Sequence, residues 1–184
     1  MKKRFAALGI AAGLSLPALA TENMYGVIGT GYSDIEFSQQ SADKANYHFA
    51  LAHQFARSWY AEVGYQRLAD NLEENEGMKA DALYLAVLGK ASAAIGELYY
   101  KLGIMNVDVK GIEGRREEGG CALGGVTVAN SCEFDEGVVA GMVGFGFDYH
   151  LGLNTMFRIE ATHVRGEHDL AANLVNVGIR YNFN

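Results

Sequence analysis

The stretch A-N-L-V-N-V-G-I-R-Y-N-F at residues 172–183 alternates large apolar side chains with small or polar ones. Because successive side chains of a β-strand point to opposite faces of a sheet, the alternation predicts a strand with one apolar, aromatic face. That face consists of Val175, Val177, Ile179, Tyr181 and Phe183. A soluble sheet can alternate in the same way, so the rest of the chain decides the environment of this strand.

Seven further segments repeat the pattern, each with large apolar residues on one face and Gly, Ala or ionisable residues on the other. They lie at residues 24–32, 47–55, 59–66, 79–88, 97–105, 138–149 and 155–163. The short links 56–58, 89–96 and 150–154 alternate with the longer, polar links 33–46, 69–78, 106–137 and 164–171. Transmembrane barrels show this rhythm, because their periplasmic turns are short, their outer loops are longer and their strand number is even.

The choice of the outward face separates a membrane barrel from a soluble one. A soluble barrel would keep its apolar residues inside. The interior of an eight-stranded barrel is just wide enough for side chains, so Gly and Ala beside long polar residues suit it, and the large apolar face is left for lipid. We therefore expect an all-β, eight-stranded antiparallel up-and-down transmembrane β-barrel. It would lie in the bacterial outer membrane, with periplasmic termini and extracellular long loops.

The N-terminus carries the features of a secretory signal. Lys2, Lys3 and Arg4 precede an apolar run, and Pro17 precedes the small-residue site at 18–20. We expect residues 1–20 to be a signal peptide and residues 21–184 to form the barrel domain. Without the three signal cations, 12 of the 15 basic residues remain against 22 acidic ones, a net charge of −10. This balance argues against binding to nucleic acid.

The longest link, residues 106–137, shows no obvious secondary structure, and such loops tend to be functional or disordered. It contains Cys121 and Cys132, the only cysteines of the chain. In an exported protein they favour a disulfide that closes a short loop, with two free thiols as the alternative. The segment V-T-V at 126–128 would form a small hairpin. We expect a host or phage surface ligand to bind here, the alternative being a tethered loop without a partner.

Several segments resemble the transmembrane domain of outer membrane protein A-type barrels. G-F-G-F-D-Y-H-L (144–151), F-R-I-E-A (157–161) and V-N-V-G-I-R-Y-N-F (175–183) are similar to the last three strands of that family. W-Y-A-E-V-G-Y (59–65) and Y-Y-K-L-G (99–103) are similar to its third and fifth strands. The resemblance implies insertion by the barrel-assembly machinery, with the C-terminal strand as the sorting signal, although Asn184 follows Phe183 where the family often ends on Phe.

The predicted inward faces carry ionisable side chains of both signs. They are Glu62, Glu97, Lys101, Asp148, Arg158, Glu160 and Arg180. Removing one partner of a buried ion pair costs about 3–5 kcal/mol, so we expect these groups to pair across the lumen and fill it. The resemblance implies the pairs Glu62–Arg180 and Lys101–Glu160. A gate that opens when partners exchange is the alternative to a packed polar core.

These features favour a non-enzymatic barrel with a structural or surface-interaction role, with no cofactor and no metal. The alternatives are a narrow gated pore for ions or small solutes and a lipid A-modifying enzyme. A deacylase needs a His and a Ser within hydrogen-bond reach at the lipid face. The segment A-T-H-V-R-G (161–166) contains His163, but no Ser follows two positions later. The expected partners are outer-membrane lipid and lipopolysaccharide, the barrel-assembly machinery, and a host or phage surface ligand.

Overall fold

The computed structural model describes residues 23–37, 40–72, 77–114, 126–128, 131–167 and 170–183. The expected signal peptide lies outside these residues, and so does Cys121. The disulfide between Cys121 and Cys132 therefore stays a prediction. Among the described residues, no helix is long and apolar enough to cross a membrane.

The described chain is built from antiparallel strands, as the alternating pattern predicts. The strands are β1 Met24–Phe37, β2 Gln40–Ala56, β3 Trp59–Leu72, β4 Gly77–Ala93, β5 Gly96–Gly114, β6 Val126–Val128, β7 Ser131–His150, β8 Thr155–Gly166 and β9 Ala171–Phe183. β6 is the small V-T-V strand, and it pairs only with the first residues of β7. The other eight strands correspond to the eight predicted segments.

Pairing of the chain ends closes the sheet. Each of the eight long strands pairs with its neighbours in sequence, β5 pairs with β7, and β1 pairs with β9. Met24 at the start of β1 lies opposite Phe183 at the end of β9. Because each long strand has a partner on both sides, the barrel has no open edge along its wall. The predicted fold, an eight-stranded antiparallel up-and-down barrel, is confirmed.

The large apolar side chains point outward, as expected for lipid contact. In β9, Val175, Val177, Ile179 and Tyr181 are 55, 40, 40 and 49% exposed, whereas Asn176 between them is buried. The same alternation recurs around the wall and produces an apolar band of outward side chains. Members of this apolar band include Ile28, Phe49, Leu51, Val63, Leu83, Leu85, Val87, Leu98, Leu102, Ile104, Val139, Val143, Phe145 and Ile159. Soluble monomers rarely expose so many large apolar side chains on one contiguous surface.

The strands extend beyond the apolar band, which corrects the expected loop at 106–137. In β5 the outward face changes from Ile104 to Asn106, Asp108 and Lys110, yet the strand continues to Gly114 and stays paired with β7 back to Ser131. Val107 alternates with these polar residues and is completely buried. The polar residues of this segment were interpreted as a loop that begins at Asn106. They mark only the point where β5 leaves the lipid, because the strand itself continues.

At three glycines of the described strands, the ring of the tyrosine on the neighbouring strand lies directly over the glycine. Gly64 lies opposite Tyr84 and Gly146 opposite Tyr99, both on the inward face, and Gly89 lies opposite Tyr100 on the outward face. A methyl group at Gly64 would lie 2.5 Å from the Tyr84 ring. The glycines thus provide the space that each ring needs to lie flat on the neighbouring strand, a packing that stabilises glycine positions in sheets.

Candidate functional site

The ionisable residues predicted to face inward do lie in the lumen. Glu62, Lys101, Asp148, Arg158, Glu160 and Arg180 are buried, and Glu97 is half-buried near the end with the short turns. They come from the five strands β3, β5, β7, β8 and β9, and in each strand every second residue points into the lumen. Buried charges require partners, so the geometry of their pairing decides what the lumen can do.

Arg158 is the centre of this ion-pair network. Its Nε lies 2.7 Å from Asp148 Oδ1 and its Nη2 lies 2.8 Å from Asp148 Oδ2, a bidentate arrangement. Its Nη1 donates to Glu62 Oε2 at 3.1 Å. Bidentate guanidinium–carboxylate pairs are strong and directional, so Arg158 fixes two carboxylates from different strands.

Lys101 forms the second centre, and here the expected pairs are partly corrected. Its Nζ lies 2.6 Å from Glu160 Oε1, the pair that the resemblance implies, and 3.2 Å from Glu62 Oε1. The expected pair Glu62–Arg180 is wrong. Arg180 Nη1 instead contacts Glu97 Oε2 and lies 2.7 Å from Asp148 Oδ2. The two carboxylate oxygens of Glu62 contact Arg158 and Lys101 instead, so Glu62 and Arg180 belong to different parts of the network.

Lys90 belongs to the network but was not predicted. Its side chain is 2% exposed, and its Nζ lies 3.4 Å from both Glu97 Oε2 and Asp148 Oδ2. The predicted strand ended at residue 88, although Lys90 continues the inward parity two positions later. With Lys90 the described network contains four cations and four carboxylates, so its formal charges balance.

Four inward tyrosines complete the network. Tyr25 Oη and Tyr84 Oη donate to the two oxygens of Glu62 at 3.0 Å, and Tyr99 Oη donates to Glu160 Oε2 at 2.7 Å. Their rings also receive the cations: Arg180 lies 4.1 Å and Lys90 4.2 Å from the Tyr25 ring centroid, and Lys90 lies 4.5 Å from that of Tyr60. Cation–π contacts of this kind gain strength where water is excluded.

A second closed region fills the lumen at the end with the longer links. Past a layer of uncharged polar side chains, which includes Asn46, His48, Gln66 and Asn176, the inward residues are apolar and almost completely buried. This apolar layer consists of Ile35, Leu68, Ala80, Val107, Val109, Val138, Val164, Leu170, Ala172 and Leu174. This layer was not predicted, since the interior was expected to hold Gly, Ala and ionisable residues, and half of the layer lies in segments predicted to be links: Ile35, Val107, Val109, Val164 and Leu170.

The outward face of β8 bears His163, the histidine of the segment at 161–166. His163 points outward, and its Nδ1 lies 2.8 Å from Asn173 Oδ1, whereas Glu160 points into the lumen. Within the described residues, no group of three or more His, Cys, Asp or Glu could hold a metal ion.

Solved structures that share this fold include three outer-membrane barrels. Neisserial surface protein A has a TM-score of 0.64 and 12% identity, over 88% of this chain and 97% of that one. The N-terminal β-barrel domain of Pseudomonas aeruginosa OprF has a TM-score of 0.60 and 11% identity, over 88% and 98%. The attachment invasion locus protein Ail of Yersinia pestis, in complex with the heparin analogue sucrose octasulfate, has a TM-score of 0.58 and 13% identity, over 86% and 96%. Identities this low show similarity of fold alone.

No curated protein sequence matches the chain significantly. A family model described as the outer membrane protein beta-barrel domain matches residues 6–183, nearly the whole chain. Membership of this family implies a location in the bacterial outer membrane. Together with the closed barrel, the outward apolar band and the charged lumen, this match shows that the chain belongs to the outer membrane protein beta-barrel domain family.

Proposed function

We propose that the protein is a non-enzymatic outer-membrane anchor that presents its longer strand extensions and loops to a ligand outside the cell. The observation that carries this proposal is the filled lumen. Along the barrel axis, the charge-balanced ion-pair network is followed by the apolar layer, and together they fill the lumen. Contact with partners is therefore left to the parts of the barrel beyond the membrane. In the proposed orientation the termini are periplasmic and the longer links are extracellular.

The paired extension of β5 and β7 supports a role in display. From Ile104 to Gly114, β5 continues past the apolar band for ten residues, which at roughly 3.3 Å per residue is ~33 Å along the strand. The extension is paired with β7 along its whole length, and Val107 and Val109 fix its base to the apolar layer. The paired extension therefore holds the two ends of the segment between Gly114 and Ser131 side by side.

The charge of the protein narrows the class of ligand. The Yersinia pestis barrel was crystallised with a heparin analogue, which is a polyanion. The present chain has a formal net charge of −7, and −10 without the cations of the expected signal peptide. A net negative surface disfavours polyanions, so we propose a neutral or cationic host or phage surface ligand. Insertion would use the barrel-assembly machinery, and outer-membrane lipid and lipopolysaccharide would surround the apolar band.

Removal of the displayed segment tests this proposal. Because Gly114 lies directly opposite Ser131, residues 115–130 can be replaced by the two-residue turn Asn-Gly without changing the pairing of β5 with β7. The replacement also removes β6, which pairs only with β7. The variant and its parent would both carry Cys132→Ser, and the parent also Cys121→Ser. We expect bacteria that display the parent to adhere to host-cell monolayers and those with the short turn to lose adhesion, while unboiled gels show that both barrels are folded. Equal adhesion by the two would overturn the proposal.

One observation favours the narrow pore as a second candidate function. Asp148 contacts three cations, Lys90, Arg158 and Arg180, so partners could exchange without leaving this carboxylate unpaired. Single-channel recordings of the folded protein in a planar bilayer test this candidate. Regular current steps would establish a pore and demote the display role, whereas silence from a verified barrel would eliminate the pore.

A further inference from the structure

The short turns of the barrel differ in polarity. The β2–β3 turn consists of the exposed polar residues Arg57 and Ser58. The β4–β5 turn instead carries Ile95, which is 65% exposed, and the β7–β8 turn carries the exposed Leu151 and the fully exposed Leu153. Because contact of large apolar side chains with water is unfavourable, these three residues, the turn patch, indicate a surface that something else covers.

The two turns of the turn patch adjoin each other. β5 follows one turn, β7 precedes the other, and the two strands pair from Gly96 opposite Tyr149 onward. The backbone N–H of His150 donates a hydrogen bond to the carbonyl oxygen of Ile95 at 3.2 Å, which joins the turns directly. The three apolar side chains therefore belong to one side of the barrel end.

The turn patch continues the apolar band. On β5 the first exposed apolar residue after the turn is Leu98, and on β7 the exposed Tyr149 lies two residues before Leu151. The segments 91–96 and 151–157 contain no Asp, Glu, Lys or Arg. The turns therefore bring no charge of their own to the border of the band.

An apolar groove of about 380 Å³ opens beside these turns. Its lining includes Trp59, Ala91, Leu98, Tyr100 and Phe145, which come from four strands of the wall. Ala91 lies opposite Leu98, two residue pairs from the β4–β5 turn. A lipid acyl chain in the groove would therefore reach that turn.

The backbone of the β7–β8 turn suits contact with lipid. A backbone N–H or C=O group without a partner is costly in the hydrocarbon region, so a turn that touches this region needs internal hydrogen bonds. The N–H groups of Leu151 and Gly152 both donate to the carbonyl oxygen of Thr155, at 3.0 and 3.1 Å. The carbonyl oxygen of Asn154 accepts from the N–H of Asn182 at 2.8 Å. These bonds lower the cost of placing the turn at the edge of the hydrocarbon region.

We propose that the turn patch lies against lipid acyl chains at the border of the hydrocarbon region, in the leaflet on the side of the short turns. Continuity with the lipid-facing apolar band identifies this occupant, and contact with the chains removes the three side chains from water. Arg57 in the β2–β3 turn stays among the headgroups, because its charge disfavours the hydrocarbon region. The barrel is therefore seated more deeply on the side of the two apolar turns.

Fluorescence quenching in lipid vesicles tests the proposal. Trp59 is the only tryptophan of the chain, so Trp59→Phe gives a background for Leu153→Trp and, as the matched control, Arg57→Trp. Each purified protein is folded into phosphatidylcholine vesicles with or without bromine on the acyl chains. Acrylamide, present on both sides of the membrane, is the aqueous quencher. Unboiled gels establish that each variant has folded.

Bromine on the acyl chains should lower the fluorescence of Leu153→Trp roughly twofold or more, because its indole would touch the hydrocarbon region. Arg57→Trp should keep most of its fluorescence in the brominated lipid, and acrylamide should quench it more than it quenches Leu153→Trp. Both variants carry the same indole, so the general preference of tryptophan for membrane interfaces affects them alike.

Three results would overturn the lipid contact. Equal quenching of the two variants by acrylamide would place the β7–β8 turn in water. Equal quenching by bromine would show that the turn patch touches lipid no more than the polar turn does. Protection of Leu153→Trp from acrylamide without quenching by bromine would identify protein, such as a second copy of this chain, as the cover. None of these results bears on adhesion, which the proposed display role assigns to the opposite end of the barrel.

Discussion

At the scale of single residues, Arg158 is the group on which the lumen depends most. It is almost completely buried, holds Asp148 through two hydrogen bonds and Glu62 through a third, and lies 4.6 Å from the ring centroid of Tyr99. Two buried carboxylates from different strands are thus fixed by one planar cation. A neutral side chain of similar length would keep the volume and lose these bonds.

Replacement of Arg158 by Met should therefore destabilise the barrel. Lys101 still holds Glu62, and Lys90 and Arg180 still hold Asp148, so we expect the lower part of the range for broken buried pairs, about 3 kcal/mol in the free energy of unfolding. Urea unfolding in lipid vesicles, followed by the fluorescence of Trp59, measures it. Arg57→Met, in an exposed turn, is the control. A change below about 1 kcal/mol for Arg158→Met would show that the remaining partners compensate.

Gly64→Ala tests the packing of a tyrosine over a glycine. The added methyl group would lie 2.5 Å from the Tyr84 ring and would displace the hydroxyl that donates to Glu62. Overpacking of this kind costs about 1–3 kcal/mol, and the same unfolding measurement detects it. Gly141→Ala adds the same methyl group where space is open and should be nearly neutral. Equal effects of the two substitutions would rule out the steric explanation.

At the scale of strands, the extension of β5 and β7 beyond the membrane depends on its inward side chains. Val107 and Val109 are completely buried in the apolar layer, whereas Asn106 and Asp108, which alternate with them, are exposed. A two-stranded ribbon by itself is marginally stable in water, so burial of the two valines against the other strands is what keeps the extension ordered.

A carboxylate introduced on the inward face of β5 should open the extension, whereas one introduced on the outward face should not. Val107→Asp places an unpaired carboxylate in the apolar layer and should open the extension, because burial of an isolated charge is unfavourable. Asn106→Asp adds the same charge on the exposed face and should leave it closed. Cleavage by an added protease on intact cells is the measurement. Faster cleavage of Val107→Asp alone is expected, and equal cleavage of both variants would contradict the assigned faces.

At the scale of the whole molecule, two closed regions lie one after the other along the lumen. The ion-pair network occupies the part nearer the short turns, and the apolar layer, which includes Ile35, Leu68 and Leu174, occupies the part nearer the longer links. An apolar constriction can close a pore by excluding water from it. A change in one region alone therefore leaves the other closed.

This series arrangement predicts a non-additive effect on conductance. Glu62→Ala alone and Leu68→Ser alone should each remain silent in planar bilayers, because one closed region is retained. The double variant should show current steps, provided that unboiled gels confirm its barrel is folded. Steps from Glu62→Ala alone would mean that the apolar layer does not block ions, and the ion-pair network would then be the only barrier.

The sequence by itself determined the strands and their faces, because the side-chain period of two is a property of each strand alone. It predicted the outward apolar face of β9, and it assigned seven ionisable residues to the inward faces on which the structure finds them. Segments with polar outward faces were harder to interpret. The outer ends of β5 and β7 were missed, and with them Val107 and Val109 of the apolar layer. The reason is that polar residues on the outward face can mean either that the strand has ended or that it has left the lipid.

Only the tertiary structure decided which of the inward residues meet. Residues on strands that are not neighbours reach the same height through the tilt and stagger of the closed barrel, which no single strand encodes. Glu62 therefore meets Arg158 and Lys101 instead of Arg180, and Lys90 joins Asp148 although 58 positions separate them. Parity along a strand is local and can be read directly from the sequence, whereas the height at which two side chains meet depends on the closure of all eight strands.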